Sequence, residues 1–136
     1  MSDTNGLLNA GALLLGRLLL ASLFVLEGLG KMKGYAGAVA YMEKFGVPGL
    51  LLPLVIVAEI GCGLAIAIGW QTRWAALALA IFSIAAALIF HINFADRNQI
   101  LHFEKDLAIA GGFLVLCALG AGTWSIDGRQ NKSTDS

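Results

Sequence analysis

Charged residues are scarce in this chain. They make up 13% of its 136 residues, whereas soluble domains contain about 25%. Basic and acidic residues cancel to a formal net charge of zero, so the chain lacks the positive field that binding to nucleic acid requires. The N-terminal segment has no basic region and no convincing cleavage site. The first apolar stretch is therefore predicted to be a retained helix and not a signal peptide.

Proline and cysteine are also rare, with two residues of each. Cys62 and Cys117 lie inside apolar stretches and form no CxxC motif, a pattern that favours small core residues over a redox pair. The sequence shows no flavin, haem or iron–sulfur signature. We therefore expect that the chain does not complete a redox cycle by itself.

Apolar sequence is what the chain has in abundance, with 58% hydrophobic residues and a mean hydropathy of +0.79. Four apolar stretches cover about residues 10–30, 50–69, 74–92 and 107–124, and helices of such length suit a hydrocarbon core of ~30 Å. The predicted fold is all-α, a bundle of four transmembrane helices in the lipid bilayer. Residues 1–9 are predicted to form a polar lead, 10–127 the membrane domain, and 128–136 a disordered tail.

Two of the predicted connections are long. The first carries Tyr35, Val39, Met42 and Phe45 at helical spacing, which predicts a short helix in the membrane interface or, alternatively, one packed on the rim of the bundle. Four spans place both termini on one side. The long loops contain five Lys and Arg residues against three on the terminal side, so the positive-inside rule predicts periplasmic termini.

Two charged residues, Arg17 and Glu59, fall deep inside predicted spans. Arg17 lies roughly 10 Å from the terminal side and Glu59 roughly 13 Å from the opposite side, so their depths nearly meet in a ~30 Å core. We expect an interhelical ion pair in which the guanidinium holds the carboxylate by two parallel hydrogen bonds. The alternative is that the pair only fixes the helix register.

A second group of ionisable residues gathers on the side of the long loops. Glu27 and Lys31 are four residues apart and share a face of the first span. His91 ends the third span, and His102 follows in the last loop beside carboxylates. Such histidines could relay protons, ligate a metal or hydrogen-bond a quinone carbonyl, and the alternative is a solvated rim. Their spacing matches no standard zinc motif, so no metal site is predicted. The predicted ligand-binding residues are Arg17, Glu27, Lys31, Glu59, His91 and His102.

Several short motifs follow one another nearly along the whole chain. An arginine in the first span precedes a Gly-Lys pair, a glutamate follows in the second span, and a Gly…Thr-Arg turn precedes a C-terminal G-x-G-x-x-S-x-D. The residues concerned are Arg17, Gly30-Lys31, Glu59, Gly69, Thr72-Arg73, Gly120, Gly122, Ser125 and Asp127. In this order and spacing the chain resembles the DoxX family of small four-helix bacterial membrane proteins.

The resemblance implies a multi-pass protein of the bacterial inner membrane with a redox association. Relatives of this kind include the membrane subunit of a thiosulfate:quinone oxidoreductase and proteins thought to tether redox enzymes and manage thiol stress. For this chain it implies a non-autonomous membrane subunit or docking partner of a redox enzyme, with a quinone or sulfur species as ligand and no intrinsic cofactor. The alternatives are a small-molecule carrier or channel and a purely structural membrane anchor. Further copies of the chain are a possible partner that the carrier or channel alternative requires.

Overall fold

The computed structural model describes residues 2–135, which form six α-helices and no strand. The helices are α1 Ser2–Lys33, α2 Tyr35–Lys44, α3 Leu52–Ile68, α4 Thr72–Phe90, α5 Arg97–Leu119 and α6 Ile126–Thr134, with a single 3-10 turn at Gly49–Leu51 before α3. The prediction of an all-α fold is confirmed. Among the described residues, three stretches are long and apolar enough to cross a membrane: Asp3–Lys33, Gly49–Ile68 and Thr72–Phe90.

The fourth predicted span differs from the helix found there. That helix, α5, begins at Arg97, ten residues before the predicted start, so its first turns carry charged and polar groups. The side chain of Asp96 accepts a hydrogen bond from the amide of Asn98, which caps this earlier start. The helix ends at Leu119 and not at Trp124, because Gly120 takes a left-handed φ of 78° and stops it. A membrane crossing by α5 is therefore not confirmed by its length and composition.

Both ends of the chain are more helical than the sequence suggests. The predicted polar lead, over its described part, belongs to α1, which begins at Ser2. The predicted disordered tail instead contributes most of α6, whose start is capped by the Ser125 hydroxyl accepting from the amide of Gly128. Helix propensity alone underestimates the tail because the Ser125 side chain satisfies an amide that a frayed helix end leaves to water.

The helices pack in an antiparallel order, α1 on α3, α3 on α4 and α4 on α5, while α1 touches α5 only sparsely. Gly28 of α1 lies against Ile60 of α3, and Gly63 of α3 lies against Val25 of α1, so closely that a Cβ atom at either glycine would collide with its neighbour. Glycine at these positions lets the two backbones approach, as is usual for helix pairs in membranes. These contacts fix the register of α1 against α3.

The short helix α2 confirms the prediction of a helix in the first long connection. Met42 of α2 is buried with Leu52 and Ile56 of α3, and the Tyr41 ring stacks on Phe90 of α4 with centroids 5.4 Å apart. This helix therefore rests on one end of the bundle, which agrees with the packed-rim alternative. Ala38, Tyr41 and Met42 of α2 line a cavity at this end of the bundle.

Candidate functional site

The buried carboxylate of Glu59 is paired with Lys31. The Lys31 ammonium donates to both carboxylate oxygens, at 2.8 Å and 3.1 Å, and it also lies 3.6 Å from the Glu27 carboxylate. The side chain of Glu59 is 3% exposed, that of Lys31 28% and that of Glu27 58%. Exposure therefore decreases from Glu27 at the outer surface, through Lys31, to the Glu59 carboxylate in the interior of the protein.

The predicted ion pair between Arg17 and Glu59 is wrong. Packing of Gly28 on Ile60 and of Gly63 on Val25 sets the α1–α3 register, and in that register Glu59 lies beside the C-terminal half of α1. Arg17 lies fourteen residues before Lys31 on α1, which is about 21 Å along the helix. Depth counted from the predicted span ends could not reveal this register.

Arg17 instead binds backbone carbonyls at the opposite end of the bundle. Its guanidinium donates to the carbonyl oxygens of Ala121 at 2.6 Å, Trp124 at 3.1 Å and Ala67 at 3.2 Å. Ala67 lies in the last turn of α3, and the other two lie in the irregular segment after α5. Carbonyls at helix ends lack intrahelical partners, and in a membrane such groups cost several kcal/mol each when unpaired. Arg17 thus satisfies the backbone there and lies outside the candidate site.

The C-terminal G-x-G-x-x-S-x-D motif completes this second network. The Ser125 hydroxyl donates to the Gly122 carbonyl at 2.6 Å. The Asp127 carboxylate accepts from the amides of Gln71 and Thr72, both at 2.9 Å, and so caps the start of α4. The motif therefore joins the end of the chain to the turn between α3 and α4. Spacing alone identified it as a family motif but did not indicate this role.

At the end of the bundle that α2 covers, the two histidines lie together. Their rings stack with centroids 5.0 Å apart. His91 Nδ1 is 2.8 Å from Gln99 Oε1, and His91 Nε2 is 3.6 Å from the Asp106 carboxylate. Burial raises the pKa of the Asp106 carboxyl, while the neighbouring His91, His102 and Lys105 oppose that shift. The early start of α5 carries His102 back over the end of α4, which explains the contact.

A cavity of about 760 Å³ connects the two groups. Five of the six predicted site residues line it, namely Glu27, Lys31, Glu59, His91 and His102, and Arg17 does not. Phe24, Tyr41, Phe82 and Phe90 supply aromatic walls. Burial, followed by the charge of Asp106, raises the pKa of the Tyr41 hydroxyl, so this group stays a hydrogen-bond donor. Tyr41, Ser83 and Gln99 also line the cavity, and no motif or charge pattern in the sequence marks them as site residues.

The cavity reaches the outer surface of the bundle beside α1. Leu23 and Leu26 of α1 and Ile89 of α4 line it, and all three are also exposed on the apolar surface. The helix α1 makes few contacts with α5, whose Asp106 and Ile109 line the same cavity. Within residues 2–135, the structure contains no group of three or more His, Cys, Asp or Glu side chains placed to hold a metal ion.

Comparisons with known proteins agree with the resemblance seen in the motifs. The family model named DoxX matches residues 12–92. The chain is 50% identical to the inner membrane protein YqjF of Escherichia coli K12 over 119 residues, which cover 88% of this chain and 92% of the relative. It is 32% identical to the inner membrane protein YphA of the same strain, with 86% of this chain and 89% of the relative covered.

A more distant relative is the uncharacterized membrane protein Rv3486 of Mycobacterium tuberculosis H37Rv, 29% identical with 85% of this chain and 79% of the relative covered. No solved structure matches the chain significantly. The family match covers most of α1 and all of α3 and α4. The chain therefore belongs to the DoxX family and is an integral inner-membrane protein.

Proposed function

We propose that the protein is a redox-associated membrane subunit that binds a quinone in the cavity and serves a partner oxidoreductase. The observation that carries the proposal is the cavity itself, which combines aromatic walls with a few polar groups. Its volume of about 760 Å³ falls within the range of roughly 300–1,000 Å³ that is usual for small-molecule sites.

The walls suit a flat, apolar ring. Phe24 and Phe82 contact each other edge to face, with centroids 6.1 Å apart, and Tyr41 and Phe90 stack at the other end of the cavity. Aromatic faces of this kind pack well against a planar ligand. The opening beside Leu23 and Leu26 would let an isoprenoid tail remain among the lipid chains while the ring enters the protein.

The polar groups suit quinone oxygens better than a sulfur oxyanion. Lys31 is the cation closest to the buried end of the cavity, and it already contacts the carboxylates of Glu59 and Glu27. An anionic ligand would meet both carboxylates and would gain little from a cation that they already neutralise. An uncharged carbonyl accepts hydrogen bonds from Lys31, Tyr41 or a histidine without that repulsion.

A bound quinone would accept two electrons and two protons, and the electrons must come from a partner enzyme. The chain's own residues could bring protons. Glu27 is exposed, Glu59 is buried, and Lys31 contacts both, so the triad joins the surface to the cavity. Ionisable side chains inside a membrane protein commonly mark such proton routes.

Thermal unfolding of the purified protein tests the proposal. A ligand of the folded state raises the unfolding midpoint as its concentration rises. We expect short-chain ubiquinone or menaquinone analogues to raise the midpoint and thiosulfate to leave it unchanged. Tyr41→Phe, which removes a hydroxyl donor of the cavity, should weaken the quinone effect, whereas Tyr35→Phe, at an exposed position of α2, should not. Absence of a shift with either quinone at saturation would contradict quinone binding and favour a structural anchor.

A further inference from the structure

Ser83 of α4 carries a buried hydroxyl with no hydrogen-bond partner. The residue is 2% exposed, and its Oγ is one of three buried side-chain polar atoms within residues 2–135 that lack a partner. A serine in a transmembrane helix usually donates to the carbonyl four residues earlier, but no such bond forms here. Native proteins rarely leave a buried hydroxyl unsatisfied, so each case needs a physical reason.

The place of Ser83 in the cavity supplies such a reason. Ser83 lines the same cavity as Lys31 and Glu59. The other two unpaired atoms, Arg17 Nε and Thr72 Oγ1, belong to residues that do not line it. A residue with an unsatisfied hydroxyl therefore lines a cavity that a ligand can occupy.

Ser83 and Glu59 lie at a similar depth on neighbouring antiparallel helices. Glu59 is nine residues before the end of α3 at Ile68, which is about 14 Å from the α3–α4 turn. Ser83 is eleven residues after the start of α4 at Thr72, which is about 16 Å from the same turn. The hydroxyl and the Lys31–Glu59 pair thus lie at a similar depth in a cavity whose walls are largely apolar.

We infer that Ser83 is a ligand-binding residue whose hydroxyl donates a hydrogen bond to an uncharged oxygen of the bound molecule. The inference rests on the proposed quinone site and deepens it. The Lys31 ammonium is committed to two carboxylates, whereas the Ser83 hydroxyl has no competing partner. A neutral carbonyl oxygen would satisfy this donor, and a neutral group avoids repulsion from Glu59.

The test measures the apparent dissociation constant of a short-chain ubiquinone analogue from the rise in the unfolding midpoint of the full-length protein. In Ser83→Ala, loss of one neutral hydrogen bond should weaken binding about 3- to 10-fold. The midpoint without quinone should equal or exceed that of the wild type, because the lost hydroxyl had no partner in the protein. The matched control is Ser22→Ala, which removes an exposed α1 hydroxyl that donates to the Leu19 carbonyl.

The outcomes separate the two proposals. Weaker binding in Ser83→Ala with unchanged binding in Ser22→Ala supports the role of Ser83. Equal binding in Ser83→Ala and the wild type overturns that role and leaves the quinone site standing. No midpoint shift in the wild type overturns the quinone site and this inference with it. If Ser83→Ala does not fold, Ser83→Cys preserves the side-chain volume with a weaker donor, and binding equal to the wild type would then overturn the inference.

Discussion

At the scale of single residues, the two deeply buried charged groups are stabilised in different ways. Glu59 has a flexible cation beside it, since the long Lys31 side chain reaches inward from a residue near the end of α1. Arg17 has three backbone carbonyls and no carboxylate within salt-bridge distance among the described residues. The first arrangement joins two side chains, whereas the second satisfies backbone carbonyls.

Removal of Lys31 should destabilise the protein strongly. In Lys31→Met the Glu59 carboxylate stays buried without its cation, and breaking a buried pair in this way costs about 3–5 kcal/mol. We expect the low end of that range, because the Lys31 side chain is 28% exposed. Chemical denaturation in detergent measures the free energy of unfolding.

Lys33→Met provides the control, since Lys33 lies two residues away on the same helix and is exposed. Addition of Glu59→Gln to Lys31→Met should restore part of the lost stability, because the double variant no longer buries an unpaired charge. Equal losses in Lys31→Met and Lys33→Met would show that the pair contributes nothing to stability.

Asp106 should make stability depend on pH in the acidic range. Burial raises its pKa above the ordinary value of 3.8, so the folded protein holds this proton to a higher pH than the unfolded chain does. The contribution of the protonated Asp106 carboxyl to the free energy of unfolding is then fully present below about pH 4 and is lost as the pH rises through the raised pKa. His91, His102 and Lys105 limit the effect by favouring the carboxylate.

Unfolding measured in steps from about pH 4 to 6 would reveal this contribution. As the pH rises, the free energy of unfolding of the wild type should fall relative to that of Asp106→Asn, because only the wild type has a carboxyl group at this position that loses a proton. Asp3→Asn, at an exposed position of α1, should track the wild type throughout. A constant difference between wild type and Asp106→Asn would contradict a raised pKa.

The site residues show what the sequence can and cannot predict at this scale. Glu27, Lys31, His91 and His102 were placed together correctly at one end of the bundle because helix ends and charge patterns locate them along the membrane normal. The partner of Arg17 could not be predicted, since backbone carbonyls carry no sequence signal. Ser83 was also missed, because one serine in an apolar helix has no pattern that separates it from the core.

At the scale of elements, the ends of the helices matter more than their apolar middles. The long apolar stretches predicted α1, α3 and α4 well, because the length and composition of a stretch are enough to identify a helix that can cross a membrane. The start of α5 was predicted too late and α6 was not predicted, because Asp96 and Ser125 cap these helices locally. Those caps determine where His102 and the C-terminal motif lie.

Asp127 should stabilise the start of α4. Its carboxylate accepts from the amides of Gln71 and Thr72, and loss of a capping side chain costs about 0.5–2 kcal/mol. Asp127→Ala should therefore lower the unfolding free energy by that amount and speed hydrogen exchange at those two amides. Asp135→Ala, at an exposed position near the C-terminus, should do neither. Unchanged exchange at Gln71 and Thr72 in Asp127→Ala would show that the cap does not hold in solution.

At the scale of the whole molecule, the side on which the C-terminus lies depends on α5. Only about 13 residues of α5, from Leu107 to Leu119, are uniformly apolar, a length of about 20 Å against a ~30 Å core. However, α5 packs along α4, so protein and not lipid covers one of its faces, and modest mismatch costs little. The Arg17 contacts with Ala121 and Trp124 also place the end of α5 beside the N-terminal half of α1.

We therefore predict that both termini lie on the same side of the membrane, on the periplasmic side by the balance of basic residues in the loops. Fusion of alkaline phosphatase, which is active only in the periplasm, should give activity at either terminus, and green fluorescent protein should be dark there when exported unfolded. Fusions at Ala95, in the connection between α4 and α5, should give the opposite pattern. Termini on opposite sides would mean that α5 does not cross the bilayer. The Arg17 contacts with Ala121 and Trp124 would then not exist in the membrane, because they require the end of α5 to return to the N-terminal half of α1.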